Sequence, residues 1–505
     1  MNKEILVSAE EQEIRIAVLE NGKLEEFYVE RRTRDQLMGN IYKGKVDSIL
    51  PGIGAAFISL GLERNGFLYL SDVASPHYLF DEEVDVPIND MPKEEPGKDD
   101  RSLAEKGAEL LKKGEDILVQ VVKEPFGRKG ARLSTHITLP GRYLVAMPYS
   151  GHVGVSKRIQ DPRERERLRT LLNSLRIPKD MGFIVRTVGQ GKGKKEFARD
   201  TRYLVTLWHR IQVKSKRQES PSLVHEEHDL VLRMVRDSLS EEIDKLMIDS
   251  KAEYKKALHF VRSIVPDLQS KLLCYQEEAP LFKKKGIEEE IEKIYARKVY
   301  LKSGAYIVIE KTEGLVAIDV NTGKFTGKKR QEDTAFKTNL EAADEIARQV
   351  RLRDIGGIIV IDFIDMAMEE HRRHLFRSLI DHFRRDKAKT NILSISEIGI
   401  VEMTRQRMRQ DPESVSYQPC PYCQGRGSVK SVETVAILAV REAKKFFSQM
   451  GKNSEAILSV HPDVAVYLLR DNRRSLNFLE RNFNARIILC EDPKLHLEDV
   501  KMAPV

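Results

Sequence analysis

Asp319 and Asp362 each close an apolar run, in Gly314-Leu-Val-Ala-Ile-Asp319-Val-Asn321 and Gly356-Gly-Ile-Ile-Val-Ile-Asp362-Phe-Ile-Asp365. Magnesium favours carboxylate and water oxygens, takes one or two protein carboxylates, and leaves waters to meet a phosphate. Two strand-end aspartates meet that requirement, so metal-assisted phosphate chemistry is the first reaction class to consider. On a strand, Asp319 and Asn321 point the same way, whereas Asp362 and Asp365 point to opposite faces unless the strand has ended. Asp362 is therefore preferred to Asp365. An isolated Asp at a strand end usually caps the next turn, but two such ends joined by one crossover are harder to explain that way.

The elements that position these groups are readable. Strands of Leu, Val, Ile and Ala alone are expected to be buried on both faces, which puts the carboxylates at a sheet rim where open α/β folds bind ligands. From an N-cap at Asp333-Thr334, the residues Phe336, Leu340, Ala343, Ala347 and Val350 recur at helical spacing, and Gly356-Gly357 ends the unit. A strand-helix-strand unit predicts parallel strands with both carboxylates at one edge. Between Asp319 and the helix, Gly323-Lys-Phe-Thr-Gly327-Lys-Lys-Arg330 is a basic loop suited to a phosphate backbone; read alone, it fits a solvated charge run equally well.

A second chemistry sits in Pro419-Cys420-Pro-Tyr-Cys423-Gln-Gly425-Arg-Gly427. Cys-x-x-Cys with following glycines turns two thiolates toward one ion, but zinc needs four ligands and this pair occurs once. The residues leave two readings, a redox pair or a metal shared between two chains. Cys274 and Cys490 are read as ordinary reduced thiols.

Towards the N-terminus, Glu13-Ile-Arg-Ile-Ala-Val-Leu and Leu24-Glu-Glu-Phe-Tyr-Val flank Asn21-Gly22 and predict a hairpin. Short strands around Val46, Ala55-Ala-Phe57, Gly66-Phe67-Leu68 and Ile117-Leu-Val-Gln-Val-Val suggest a small five-stranded barrel of the OB type. Phe57 and Phe67 could stack bases there, with Lys43, Lys45 and Lys129 near the backbone, although an aromatic in a small barrel is more often core. Asp81 to Glu105, rich in Asp, Glu, Pro and Lys, is read as a mobile surface insertion too acidic for RNA contact. Gly182-Phe-Ile-Val-Arg186-Thr187 places an arginine fork beside a hydroxyl, the makings of an anion pocket, yet by themselves these are ordinary strand and turn residues. The stretch from about 215 to 275 reads as mostly helical, including Glu241-Glu-Ile-Asp-Lys-Leu-Met. Beyond the cysteine pair, a helix after Ser431, a strand at Ile457, a helix over Val464 to Leu469 and a strand at Arg486 form a small αβ domain without a catalytic constellation.

The chain has 505 residues and 41% hydrophobic content, enough for three or four domains. Lys plus Arg is 85 against 78 for Asp plus Glu, a net charge of +7 that permits nucleic acid without demanding it. No apolar stretch approaches the ~20 residues needed to span a bilayer and no leader opens the chain, so a cytoplasmic protein is expected.

Gly314 to Arg407, with Asn339-Leu-Glu-Ala-Ala-Asp-Glu-Ile-Ala-Arg-Gln and Ile361-Asp-Phe-Ile-Asp-Met, resembles the catalytic region of the RNase E/G family of bacterial endoribonucleases. The similarity extends over essentially the whole chain, and its length is similar to that of the shorter, ribonuclease G-like members. Lys43-Gly-Lys-Val, Gly54-Ala-Ala-Phe-Ile and Asn65-Gly-Phe-Leu-Tyr-Leu resemble that family's S1 RNA-binding domain. The resemblance implies a multidomain α/β fold. Residues 1–36 and 231–294 would form an RNase H-like domain lacking that fold's own activity, and 37–128 an S1-type OB barrel carrying the acidic insertion 81–106. A 5′-phosphate sensor at 129–230, a DNase I-like catalytic domain at 295–416, a zinc-link at 417–428 and a small oligomerisation domain at 429–505 would follow.

It further implies a magnesium-dependent endoribonuclease acting on single-stranded RNA with a 5′-monophosphate, leaving 3′-hydroxyl and 5′-phosphate ends in rRNA and tRNA processing and mRNA decay. Asp319 and Asp362 would hold magnesium, and Asn321 would support the site and the attacking water. Arg186 and Thr187 would grip the 5′-phosphate, Gly141 and Val145 would shape that pocket and meet the first base, and Phe57, Phe67 and Lys129 would clamp RNA. Cys420 and Cys423 would share one zinc with a partner chain, implying a homodimer and allowing a homotetramer. The rival from another class is a non-catalytic RNA-binding scaffold with structural carboxylates.

Overall fold

In a computed structural model of the chain, Leu315–Asn321 is a strand buried on one face only. Val316, Ile318 and Val320 are buried, while Leu315, Ala317, Asp319 and Asn321 are exposed or half-buried. Gly357–Asp362 repeats the pattern, with Ile359 and Ile361 buried and Ile358 51% exposed. This corrects the expectation of strands buried on both faces, which requires helices on both sides. Here Gln331–Leu352 and Glu369–Phe383 pack against one side, where Ala342, Ile346, Val350, Leu375 and Leu379 join Ile318 and Ile361 in a single core. Among the described residues the opposite face is open, and the carboxylates stand on it. The structure describes residues 2–31, 37–74, 84–85, 100–125, 129–151, 153–323, 331–396, 398–408, 412–451 and 454–505.

The order in this six-stranded sheet is Lys298–Tyr300, Tyr306–Lys311, Leu315–Asn321, Gly357–Asp362, Ile400–Arg405 and Thr390–Ile392. Only Leu315–Asn321 and Gly357–Asp362 run parallel, joined by the helix as the strand-helix-strand reading requires. The helix begins by Gln331, so Asp333 and Thr334 lie within its first turn and do not cap it. Of the basic loop, Lys324 to Arg330 lie outside the described residues.

Ile41–Leu50, Ala55–Ser59, Gly66–Tyr69, Arg132–Ser134 and Asp116–Lys123 form a closed five-stranded barrel, with Ser222–His225 added beside Ile41–Leu50. Val46, Ala56, Ile58, Leu68, Val119, Val121 and Leu133 fill its interior. The closing strand Arg132–Ser134 follows residue 128. Of the acidic segment 81–106, Val84–Asp85 pairs with Val153–Ser156 and residues from Asp100 belong to the helix Asp100–Leu110; residues 86–99 lie outside the described set.

The N-terminal hairpin turns at Asn21 and Gly22, both with positive φ (51° and 80°), as a tight two-residue turn demands. Its strands Lys3–Ala9, Glu13–Glu20 and Lys23–Arg31 are extended by Lys245–Ile248 and Leu272–Cys274. The helical reading of Glu241 to Met247 is therefore wrong. Lys245–Ile248 pairs parallel with Lys3–Ala9 and buries Leu246 and Ile248, so tertiary pairing overrides a local helical pattern. A further sheet takes Leu139–Pro140, Leu144–Pro148, Met181–Val185, Val153–Ser156 and Val84–Asp85, packed against the long helix Lys194–Arg217.

Residues 416–505 form a separate compact unit. Arg486–Glu491, Glu455–Val460 and Val500–Pro504 make a three-stranded sheet, covered by Val432–Met450, Pro462–Arg470 and Arg473–Phe483. Ser431 caps the first of these helices, accepting from the Thr434 amide. Among the described residues, no helix is long and apolar enough to cross a membrane.

Candidate active site and RNA-binding surfaces

Asp319 and Asp362 are register partners in the parallel pair, on adjacent strands roughly 4.8 Å apart. Both are exposed on the open face. Asn321, on the same face as Asp319, donates from Nδ2 to Asp319 Oδ2 at 2.6 Å, fixing the carboxylate. Partial burial and the negative charges of Asp319 and Asp365 push the Asp362 carboxyl above its ordinary range. The strand ends at Asp362, so the alternation of faces that set Asp365 apart does not apply, and the Asp365 charge reaches Asp362.

The backbone around the carboxylates is held tightly. Asn339, fully buried in the helix Gln331–Leu352, donates to the Ile364 carbonyl at 2.7 Å and accepts from the Ile364 amide at 3.1 Å, pinning the turn after Asp362. Glu332 accepts from the amides of Ala367 and Met368 and contacts His371 Nδ1 at 3.0 Å. Gly323, at φ 60°, lies so close to the Gly304 carbonyl that a Cβ there would approach to 2.7 Å. Among the described residues, no group of three or more His, Cys, Asp or Glu closes around one ion. Two hard oxygen donors with an amide beside them fit magnesium, which keeps most of its coordination sphere for water and phosphate.

The barrel aromatics are not core. Phe57 and Phe67 face outward between the buried Ala56, Ile58 and Leu68, as cross-strand partners with ring centroids 5.9 Å apart. Tyr69 extends the row at 4.8 Å from Phe67, and the Arg132 guanidinium stacks 4.7 Å over Tyr69. The exposed Lys129 leads into the strand that bears Arg132. Sequence reasoning missed Tyr69 and Arg132; the two-residue spacing from Phe67 was the signal for the first. Lys43 is committed elsewhere, to the Gln218 carbonyl at 3.0 Å and Asp116 at 3.1 Å, whereas Lys45 is exposed.

Gly141, Val145, Arg186 and Thr187 come together. Val145 opposes Ile184 across the antiparallel pair, and the Arg186 amide bonds the Tyr143 carbonyl, so Val145 and Arg186 share a half-exposed face. Arg186 Nη1 donates to the Gly141 carbonyl at 2.7 Å and to Asp237 Oδ1 at 2.6 Å. Thr187 is exposed at the start of the 3-10 turn Thr187–Gly189. The buried Asp200 explains why residue 141 is glycine. Its carboxylate accepts from the amides of Arg142, Tyr143 and Leu144 at 3.1, 2.8 and 2.9 Å, and a Cβ at Gly141 would meet it at 2.6 Å. Burial pushes the Asp200 carboxyl up despite these bonds. Arg142 in turn donates to the carbonyls of Val235, Arg236 and Leu239, tying this loop to the helix Leu230–Ser238.

At Cys420 and Cys423, Gln424, Gly425 and Gly427 all have positive φ, curling the chain round the pair so that the Gly427 amide points at Cys423 Sγ at 3.4 Å. The amides of Cys423 and Tyr422, with the Cys423 side chain, hold the Cys420 thiol below its usual range. Tyr422 packs on His496 at 4.1 Å and receives its Nε2 contact on the carbonyl at 2.7 Å, which fixes the knuckle to the segment before the last strand. Two cysteine sulfurs approached by N–H donors fit half of a tetrahedral zinc site.

A model of the ribonuclease E/G family matches residues 138–408, and one described as the RNase E/G thioredoxin-like domain matches residues 419–505. The chain is 42% identical over 445 residues to ribonuclease G of Escherichia coli strain K12, covering 88% of this chain and 87% of that one. It is 39% identical over 473 residues to ribonuclease G of Haemophilus influenzae, covering 94% and 93%. Ribonuclease E of Escherichia coli strain K12 is 36% identical over 99% of this chain, but over 46% of its own length.

Proposed function

The chain belongs to the ribonuclease E/G family, and on that premise we propose that it is a magnesium-dependent endoribonuclease that cuts single-stranded RNA and favours a 5′-monophosphate. One observation carries the reading: Asp319 and Asp362 in register on an open sheet face, with Asn321 donating to Asp319. An open face admits a polymer, and a carboxylate whose proton affinity is raised by a neighbouring carboxylate, as at Asp362, is an arrangement a cation relieves. When bound, magnesium supplies positive charge and an acidified water at the phosphate.

The chain's own groups do the rest. Asn321 sets the orientation of Asp319, and Asn339 holds the turn that follows Asp362. Phe57, Phe67 and Tyr69 offer faces to bases, with Lys129 and Arg132 for the backbone. Arg186 and Thr187 take the terminal phosphate, beside Gly141 and Val145. The bond broken is P–O3′, so the upstream fragment keeps a 3′-hydroxyl and the downstream one a 5′-phosphate. The same reading makes the barrel S1-type, residues 1–36 with 231–294 RNase H-like, and 295–416 DNase I-like. Cys420 and Cys423 pair two chains around one zinc, in a cytoplasmic enzyme of rRNA and tRNA processing and mRNA decay.

The test is cleavage of a defined single-stranded RNA bearing a 5′-monophosphate or a 5′-hydroxyl, with magnesium or with chelator. Magnesium-dependent cutting faster on the monophosphate supports the proposal. RNA binding without cutting in any divalent metal would leave the scaffold reading.

A further inference from the structure

The open sheet face continues past Asn321 into an aromatic platform that neither the metal site nor the phosphate pocket uses. Lys298–Tyr300 is the edge strand, paired antiparallel with Tyr306–Lys311. Tyr300 stands opposite Tyr306, and Tyr306 stands opposite Asn321. Directly opposed residues of antiparallel strands share a face, with Cβ atoms roughly 5 Å apart. Tyr300, Tyr306 and Asn321 therefore form one row across three strands, on the face that carries Asp319 and Asp362.

The side chains make a built surface. The tyrosine rings lie 6.0 Å apart at 59°, and Tyr300 is 69% exposed. Lys298 Nζ sits 3.4 Å from the Tyr306 centroid and 5.1 Å from that of Tyr300. The ring of Tyr306 is backed by Gly323, where a Cβ would come within 3.2 Å of Cδ1. Among the described residues Lys298 is steadied by ring faces and not by a carboxylate, so its charge remains available to an anion. Exposed rings with an available cation are what single-strand binders present to a base and its phosphate.

We propose that Lys298, Tyr300 and Tyr306 form a nucleotide subsite beside the cut. The base of a nucleotide flanking the scissile bond stacks on Tyr300, and Lys298 meets the adjoining phosphate. These are positioning residues, and the assignment rests on the endoribonuclease reading above.

The test uses the full chain and a 5′-monophosphorylated RNA cut at one position, with copies that carry an abasic residue at each flanking nucleotide in turn. Tyr300→Ala raises KM about tenfold while kcat stays within about twofold, and Tyr300→Phe restores KM, because stacking needs the ring. On the RNA that lacks the stacked base, Tyr300→Ala and the unmodified protein become equal. Anisotropy binding in chelator, where nothing is cut, shows the same tenfold change in Kd. An unchanged KM and Kd, or an equal loss on every abasic RNA, overturns the proposal. So does a change of oligomeric state in Tyr300→Ala, which would give this face to a second copy of the chain. Failure of the underlying reading is distinct: the unmodified protein would not cut in magnesium, while the chelator binding measurement still reports on Tyr300.

Discussion

Asp237 holds Arg186 by an ion pair of 2.6 Å between Oδ1 and Nη1. The guanidinium proposed for the 5′-phosphate thus has a carboxylate partner before substrate arrives. Burial pushes the Asp237 carboxyl up, but the charges of Arg186 and Arg236 outweigh it and hold the group below its ordinary range. A carboxyl lowered in the folded state contributes stability above its unfolded pKa and loses it as pH falls through the folded one. The pair is therefore intact at neutral pH and acts as an orienting strut.

Arg186→Ala should slow cleavage of 5′-monophosphorylated RNA by about tenfold or more, toward the rate on 5′-hydroxyl RNA, and barely change the latter. Asp237→Asn should give a smaller loss of the same preference, since the arginine stays but its orientation loosens. Rates on the two substrates measured side by side check this; an equal fall on both would assign Arg186 to general binding or to the fold.

Asp319→Asn and Asp362→Asn should each lower kcat by about a hundredfold or more while RNA affinity in chelator stays nearly constant, because phosphate contacts elsewhere carry binding. Stability should move differently. Asp362 has a raised pKa, so its contribution is present below the unfolded value and lost as pH rises through the folded one. At pH 7 the ionised group therefore opposes folding, and Asp362→Asn should melt at the same temperature or higher without magnesium. Calorimetry at pH 7 decides; a clear fall in Tm would make Asp362 a structural carboxylate.

The crossover, the barrel and the N-terminal hairpin were legible because each is written in local terms: helical spacing from Phe336 to Val350, short strands between glycines, and Asn21-Gly22. The cysteine pair was legible for the same reason. What escaped depends on partners distant in sequence. Nothing near Leu315 says that helices cover one face only, and Lys245–Ile248 becomes a strand because Lys3–Ala9 lies beside it. Asp200, Asp237 and Asn339 act on loops far along the chain. A buried asparagine amid Ala and Ile on a helix was the one hint of the last.

A buried ion network at the far end of the sheet that bears Asp319 and Asp362 also lay outside sequence reasoning. Arg405 donates from Nε to Asp386 at 2.7 Å and from Nη1 to Asp354 and the Ile355 carbonyl, both at 2.8 Å, with all three side chains almost fully buried. Asp386→Ala leaves the guanidinium short of a counter-charge and should destabilise the fold by about 3 kcal/mol. The denaturant midpoint measures it. A change below about 1 kcal/mol would mean that water replaces the carboxylate.

The cysteine pair yields the last prediction, by ligand arithmetic. One tetrahedral zinc takes four ligands, and the knuckle supplies Cys420 and Cys423. Its N–H donors lower the Cys420 thiol, so the thiolate forms at lower pH than a free cysteine would allow. Metal analysis should therefore find about half a zinc per chain. Replacing both cysteines with serine should release the zinc and weaken self-association in light scattering at low concentration, while magnesium-dependent cleavage by the remaining assembled fraction persists. One zinc per chain would point to two further ligands from the same chain. A double variant that loses zinc yet associates as before would show that other surfaces hold the chains together.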